Sequence, residues 1–383
     1  MIKNLKDKTK RIIFVSIEPG GTNALVPVIK KLIDDAGFSV TVFAADFAEK
    51  IYSKHKIPCI NPVISSNDKF RIKDAEEILK KEHPLLVVAG TSLSNIDRYF
   101  IVAAKNAHIP TMTVADQWFY YTERFLIKDK NIDCYPDTLC VMDENAKNEA
   151  VEEGFEPDRI DVTGNPYFDD IFILKGSFNN KKVFEFKRSL GVREDEFLIT
   201  FASEPMENSE DDIYEVRNEW GYSEKTVVSE LLSALKNISA RRNIKICLII
   251  KLHPLEIKSN FDRIKNNFHS EHIRIIISYD AEPRKLILSS DLVVGMSSIF
   301  LIESVLLGKL VLSLQPEKKK PDFLVTNRYK ASIGVFHKKD IETTIEKMIF
   351  NKKFQEEIFE KGKSFRIDGY ATDNVINKIN DLL

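Results

Sequence analysis

Two α/β domains, each built on a parallel sheet, are predicted by three features of the chain. Short β-branched runs alternate with stretches of helical periodicity. The alternation lapses once, near the middle, and then restarts. The length, 383 residues, suits two domains at roughly 100–200 residues each.

In the first half, Ile12–Ile17 reads as a strand and is followed by a glycine turn. Asn23 to Ala36 then carries Leu25, Val28, Ile29, Leu32 and Ile33 at helical spacing. Further strands are expected at Ser39–Phe43, Leu85–Ala89, Thr111–Val114, Thr138–Val141 and Ile160–Thr163. Helices are expected at Asp46–Lys54, Asn95–Asn106 and Asp143–Glu153. Gly176 to Arg193 is polar and lysine-rich, so residues 166–195 read as a passage between a domain at 1–165 and one at 196–360. In the second half strands are expected at Phe197–Phe201, Ile246–Ile250, Ile273–Ile277, Leu292–Val294 and Leu310–Leu314. Helices are expected at Thr226–Ile238, Arg284–Ser289, Ser298–Leu307, Ile341–Ile349 and Phe354–Lys361. Residues 361–383 hold a last helix, from Thr372.

Short apolar strands separated by helices imply sheets covered on both faces. Right-handed crossovers put every strand's carboxyl end on one edge, and open sheets of this kind bind ligands there.

Composition limits what those ligands are. The 56 basic and 58 acidic residues give a net charge of −2, without the basic excess of a nucleic-acid binder. An anionic ligand must therefore be met by local groups. Cys59, Cys134, Cys140 and Cys247 show neither disulfide nor zinc spacing and suit buried thiols in a reducing cytoplasm. No metal and no cofactor is expected. The lysine-rich start, Met1 to Arg11, reads as a solvated tail that leaves peripheral contact with an anionic membrane open. No apolar stretch approaches the length of a membrane span.

Four segments follow strand ends. In Glu18-Pro19-Gly20-Gly21-Thr22-Asn23, the glycines either present backbone N–H groups to a phosphate or form a plain turn capped by Thr22 or Asn23. Glu18 at the strand mouth is a candidate general base, or a surface ion-pair partner. Asp116-Gln117-Trp118 offers a carboxylate, an amide and a flat face to a sugar ring, or else an aromatic packing cluster. In Lys251-Leu252-His253-Pro254, His253 and Lys251 are candidate phosphate ligands. Gly295-Met296-Ser297-Ser298 opens a helix, with Ser297 and Ser298 as an anion cradle or Ser298 as a plain cap. Glu303, five residues on, is placed to take ribose hydroxyls. The acidic run from Glu204 to Asp212 reads as a loop over the same edge.

The order of these segments resembles the GT-B superfamily, which holds glycosyltransferases and UDP-N-acetylglucosamine 2-epimerases. Phe14 to Leu32, with Pro27-Val28-Ile29, is similar to the epimerase opening. Glu153-Gly154, Ile160, Val162-Thr163-Gly164-Asn165-Pro166 and Asp169 are similar to the epimerase passage "EG…I.VTGNP..D". The second half departs from that pattern. Ser297-Ser298-Ile299 and Leu301-Ile302-Glu303 stand where epimerases carry Ser-Gly-Gly and a Gln-Glu-Glu pattern. Val114-Ala115-Asp116-Gln117 stands in place of "VEAG". His253-Pro254 with Ser297-Ser298 instead resembles sialyl-type, capsule-building and teichoic-acid transferases that use cytidine nucleotides.

This resemblance implies two Rossmann-like domains with parallel sheets facing across a cleft, a last helix at residues 361–383 that crosses back to the first domain, and a homodimer as in many epimerases. It assigns His253, Ser297 and Ser298 to donor phosphates and Glu303 to ribose. The function expected on this basis is a metal-independent glycosyltransferase of surface polysaccharide or glycoconjugate synthesis. It would take a nucleotide-sugar donor and a glycan or lipid-linked acceptor, with Glu18 or Asp116 as base. The alternatives are a hydrolysing or non-hydrolysing UDP-N-acetylglucosamine 2-epimerase, and a nucleotide-sugar binding protein without catalysis.

Overall fold

The computed structural model describes residues 9–63, 70–92, 94–127, 132–206, 220–363 and 365–383. Most of the lysine-rich start and the greater part of the acidic run lie outside these residues. The chain divides into two compact units, Met1–Asp170 with Ile367–Leu383, and Ile171–Arg366.

The first unit holds β1 (Lys10–Ser16), β2 (Phe38–Ala44), β3 (Leu86–Ala89), β4 (Thr111–Val114), β5 (Leu126–Ile127), β6 (Ile132–Asp133), β7 (Thr138–Val141) and β8 (Ile160–Val162). Six of them form one sheet in the order β2-β1-β3-β4-β7-β8, every pair parallel. The other two, β5 and β6, pair antiparallel as a small ribbon. A single parallel bridge from Phe43 to Ile60 extends the sheet beyond β2. Strands β3, β4 and β7 are buried along their whole length, as a sheet covered on both faces requires. From β1 the chain builds outward to β2, then returns to the other side of β1 with β3. That reversal puts a crevice beyond the carboxyl ends of β1 and β3.

The second unit holds β9 (Glu196–Ala202), β10 (Lys245–Lys251), β11 (Ile273–Ser278), β12 (Leu292–Gly295), β13 (Val311–Leu314) and β14 (Ile333–Val335). Their order is β11-β10-β9-β12-β13-β14, again all parallel. This is the doubly wound order of dinucleotide-binding sheets, and its reversal lies between β9 and β12. The expected α/β class with two parallel sheets is therefore what the structure shows. The stretch read as a passage instead forms the helices Asp169–Ser177 and Asn180–Ser189. Phe186 and Leu190 pack with Val192, Leu198, Cys247 and Leu286 in the second unit's core.

The last helix, Ala371–Asp381, belongs to the first unit, where Val375 and Ile379 share a core with Leu25, Ile29 and Leu32. The Thr163-Gly164-Asn165-Pro166 segment explains how it is held. Gly164 has φ +83°, and a Cβ there would come 2.8 Å from that of Ala371. Asn374 donates to the Thr163 carbonyl at 3.2 Å. Asp169 accepts from the N–H groups of Ala371 (3.1 Å) and Thr372 (2.7 Å) and from the Thr372 hydroxyl (2.6 Å), capping the helix from a distant part of the chain. Replacing Asp169 with alanine should cost about 1–2 kcal/mol, the scale of a lost cap. Urea unfolding would show this as a lower midpoint, and an unchanged midpoint would mean the cap contributes nothing.

Candidate functional site

At the first unit's edge, Glu18 ends the loop after β1 in extended conformation (φ −85°, ψ 154°), and Pro19 opens the helix Pro19–Ile33. Proline suits this first position because its missing N–H is not needed there. The helix thus starts four residues earlier than its apolar periodicity suggests, and Gly20 to Asn23 form its first turns. Both glycines have packing reasons. A Cβ on Gly20 would sit 1.7 Å from Asp116 Oδ2, and one on Gly21 would sit 2.6 Å from the Thr91 amide nitrogen. The space above Gly20, which an anion was expected to fill, holds the Asp116 carboxylate.

Asp116 is fixed there. The Thr91 hydroxyl donates to its Oδ1, and Arg124 Nη1 lies 3.8 Å from the same oxygen, with both side chains buried. Gly20→Ala should displace Asp116 or tilt the helix start, at about 1–3 kcal/mol. Thermal unfolding reads the loss, and an unchanged melting temperature would mean the carboxylate is not seated on the helix start.

Of the remaining candidates here, Thr22 is fully buried and donates to the Glu18 carbonyl (2.7 Å) and the Ser16 hydroxyl (2.9 Å). Its hydroxyl faces inward, away from any ligand. Trp118 is also buried, donating from Nε1 to Asp143 at 2.6 Å and stacking on Phe168. The flat face expected for a sugar is thus a packing surface. Asn23 and Gln117 are half-buried.

Sequence reasoning missed Asp97, in the first turn of the helix Asn95–Asn106 after β3. It is 2% exposed. Ser92 donates to its Oδ1 at 2.8 Å, and its Oδ2 makes no hydrogen bond. Burial, reinforced by the nearby charge of Glu18, pushes its carboxyl up to about 7. The signal in the sequence was an acidic residue opening a helix just after a strand end, a pattern with a routine explanation in the helix dipole.

At the second unit's edge the expected phosphate ligands lie beside the reversal, but carboxylates from the chain meet them. The Ser297 N–H and hydroxyl donate to the two oxygens of Glu204 at 2.8 and 2.9 Å. Ser298 caps the helix Ile299–Leu306, and its buried hydroxyl has no partner. The His253 N–H donates to Glu256 at 2.7 Å, and the Ser203 hydroxyl donates to the same carboxylate at 2.6 Å. Burial pushes Glu256 up to about 7, with Glu224 and Glu204 adding to the rise. Burial also raises Glu204.

His253 Nδ1 accepts from the Leu255 N–H at 3.2 Å. Burial and the Lys251 charge hold the ring below its ordinary range. The neutral ring then carries its proton on Nε2, as a donor. Lys251 donates to the Tyr279 carbonyl at 2.7 Å and is bound to its own sheet edge. Glu303 is buried against Arg284, whose Nε and Nη2 lie 3.1 and 3.0 Å from its Oε1. The residue expected at ribose is the partner of a buried ion pair.

With both edges placed, comparison with known proteins decides the family. The model of the UDP-N-acetylglucosamine 2-epimerase family matches residues 130–380, which span the whole second sheet. The chain belongs to the UDP-N-acetylglucosamine 2-epimerase family.

Solved structures share the fold of this epimerase-family chain at low sequence identity. The UDP-GlcNAc 2-epimerase of Neisseria meningitidis, solved bound to UDP-GlcNAc, is 14% identical with a TM-score of 0.66, covering 97% of this chain and 100% of its own. The UDP-GlcNAc 2-epimerase of Methanocaldococcus jannaschii, in complex with UDP-GlcNAc and UDP, is 18% identical with a TM-score of 0.62, covering 97% and 99%. A glycosyltransferase from Rickettsia africae is 15% identical with a TM-score of 0.63, covering 98% of each chain. No curated protein sequence matches the chain.

The GT-B resemblance therefore holds, and the expectation of a glycosyltransferase does not. The family match overturns it in favour of the epimerase alternative. The physical reason lies in the motifs that favoured a transferase. The backbone donors of His253 and Ser297 are engaged by Glu256 and Glu204, and donors of this kind face phosphates, which cytidine and uridine nucleotides share. No helix among the described residues is long and apolar enough to cross a membrane.

Proposed function

We propose that the protein is a UDP-N-acetylglucosamine 2-epimerase. The observation that carries this reading is the family match over residues 130–380. The nucleotide is placed on the second unit, at the β9/β12 reversal, where a helix start and the Nε2–H of His253 supply donors for phosphate. Inverting a carbon requires one group to take a proton from one face and one to return it to the other. Such groups work best with a pKa close to the working pH. Asp97 of the first unit, beside the half-buried Glu18, is pushed up to about 7 by burial. Proton transfer is assigned to Asp97 with Glu18, without a metal.

Thermal-shift titration against UDP, UDP-GlcNAc, CMP and CDP, with and without EDTA, tests the ligand class. A ligand that binds only the folded chain raises the melting temperature as its excess over Kd grows. UDP and UDP-GlcNAc should do so with or without EDTA, and CMP and CDP should not. A shift with the cytidine nucleotides alone would contradict the reading.

A further inference from the structure

Beside the β9/β12 reversal the chain gathers its own negative charge. Glu204 is held by Ser297 and Glu256 by Ser203 and the His253 amide. Glu224, 2% exposed, accepts from the Met206 N–H at 3.0 Å. Asp322, held by Gln315 and Asn327, faces Tyr222 together with Glu204. Among the described residues no lysine or arginine pairs with Glu204. Burial disfavours its charged form, so the bond to Ser297 is held against an electrostatic cost.

More donors surround this carboxylate than it meets in good geometry. Each of its oxygens accepts one hydrogen bond from Ser297. The Ser298 hydroxyl, beside Glu204, and the phenol of Tyr222, a residue 7% exposed, are buried with no partner in good hydrogen-bond geometry. Tyr222 lies near Ser297 and Glu204, outside bonding geometry. Buried hydroxyls are rarely left unpaired. A diphosphate spreads more acceptor oxygens over a wider span than a carboxylate and can reach the donors that Glu204 meets poorly.

We propose that Glu204 is an internal stand-in for the ligand's phosphate, holding the Ser297–Ser298 helix start until a nucleotide diphosphate displaces it. This rests on the nucleotide placement proposed above. Displacing Glu204 takes one negative charge off the helix start before the phosphates arrive, whereas seating a diphosphate against an undisplaced Glu204 would add like charge to like beside Glu224, Glu256 and Asp322. The stand-in keeps the helix start assembled, and every binding event must break its two hydrogen bonds.

Isothermal titration of the full chain and its Glu204→Ala and Glu204→Gln variants with UDP, pyrophosphate and uridine tests this. Removing a competing charge within a few ångströms of the phosphate should tighten UDP and pyrophosphate by roughly tenfold or more and leave uridine unchanged. Unchanged or weaker UDP binding in both variants would overturn the stand-in while keeping the nucleotide placement. Equal tightening of uridine would place the effect away from the phosphate and overturn it too. Failure of UDP and uridine to bind any form would overturn both the placement and the proposal. Circular dichroism of each variant separates a lost fold from lost binding.

Discussion

Replacing Asp97 with asparagine should make the protein more stable at pH 8 and less active. The carboxyl is raised from an ordinary 3.8 to about 7. The folded state therefore keeps a proton that the unfolded chain has released. Its stabilising contribution is complete below about pH 4 and is lost as the pH rises through 7. Above 7 the buried carboxylate is ionised in both states, and the rise corresponds to about 4 kcal/mol against the folded protein. Asparagine never ionises and can still accept from Ser92. The variant should match the parent near pH 4 and melt several degrees higher at pH 8. If Asp97 handles a proton with Glu18, epimerisation should fall by at least about a hundredfold. Stability gained with activity lost marks a group kept for function at the expense of the fold. Melting curves at both pH values and one rate measurement read this out. No gain at pH 8 would show that Asp97 is not strained, and a gain with full activity would show that it is not used.

Replacing Glu303 with alanine should have the largest destabilising effect. It strips the carboxylate from Arg284 in a pair whose side chains are 16% and 5% exposed. Breaking such a pair leaves an uncompensated charge and costs about 3–5 kcal/mol. Glutamine keeps an acceptor for the guanidinium and should cost less. The same two variants separate the ion-pair role from the ribose role suggested by the sequence. A ribose ligand predicts a parent-like melting temperature in Glu303→Ala with weaker UDP binding. The ion pair predicts a steep drop in denaturant midpoint for alanine and a shallower one for glutamine.

Much of the fold was legible. β1, β3, β4, β7 and β10 are apolar runs, and each lies within two residues of its expected place. Several elements were not, three of them for reasons the residues show. The helix Ile72–Glu82 has one dominant buried face, at Ala75 and Leu79, set among seven charged residues. The helix Asn180–Ser189 buries no residue fully, so its sequence looks like a linker. Strand β14 is three residues long with a glycine at its centre, too short for alternation to register.

The site was half legible, for a different reason. Strand ends located the loops correctly, since topology follows from alternation. Side-chain partners depend on which loop meets which across the edge. Glu204 and Ser297 lie 93 residues apart, and Asp116 and Thr91 lie 25 apart. Neither spacing is a motif. At Gly20, His253 and Ser297 the sequence pointed to places where backbone or hydroxyl donors can face an anion, and in all three a carboxylate of the chain stands there. The residue types were readable, and their internal occupants were not.

The central claim is inversion at the 2-position of UDP-GlcNAc, and proton NMR of that substrate incubated with the protein in D2O tests it most directly. The account predicts a second N-acetylhexosamine spin system whose coupling reports inverted C2, with deuterium at that carbon in the product. Unchanged UDP-GlcNAc with no deuterium at C2, under conditions where UDP binds, would contradict it.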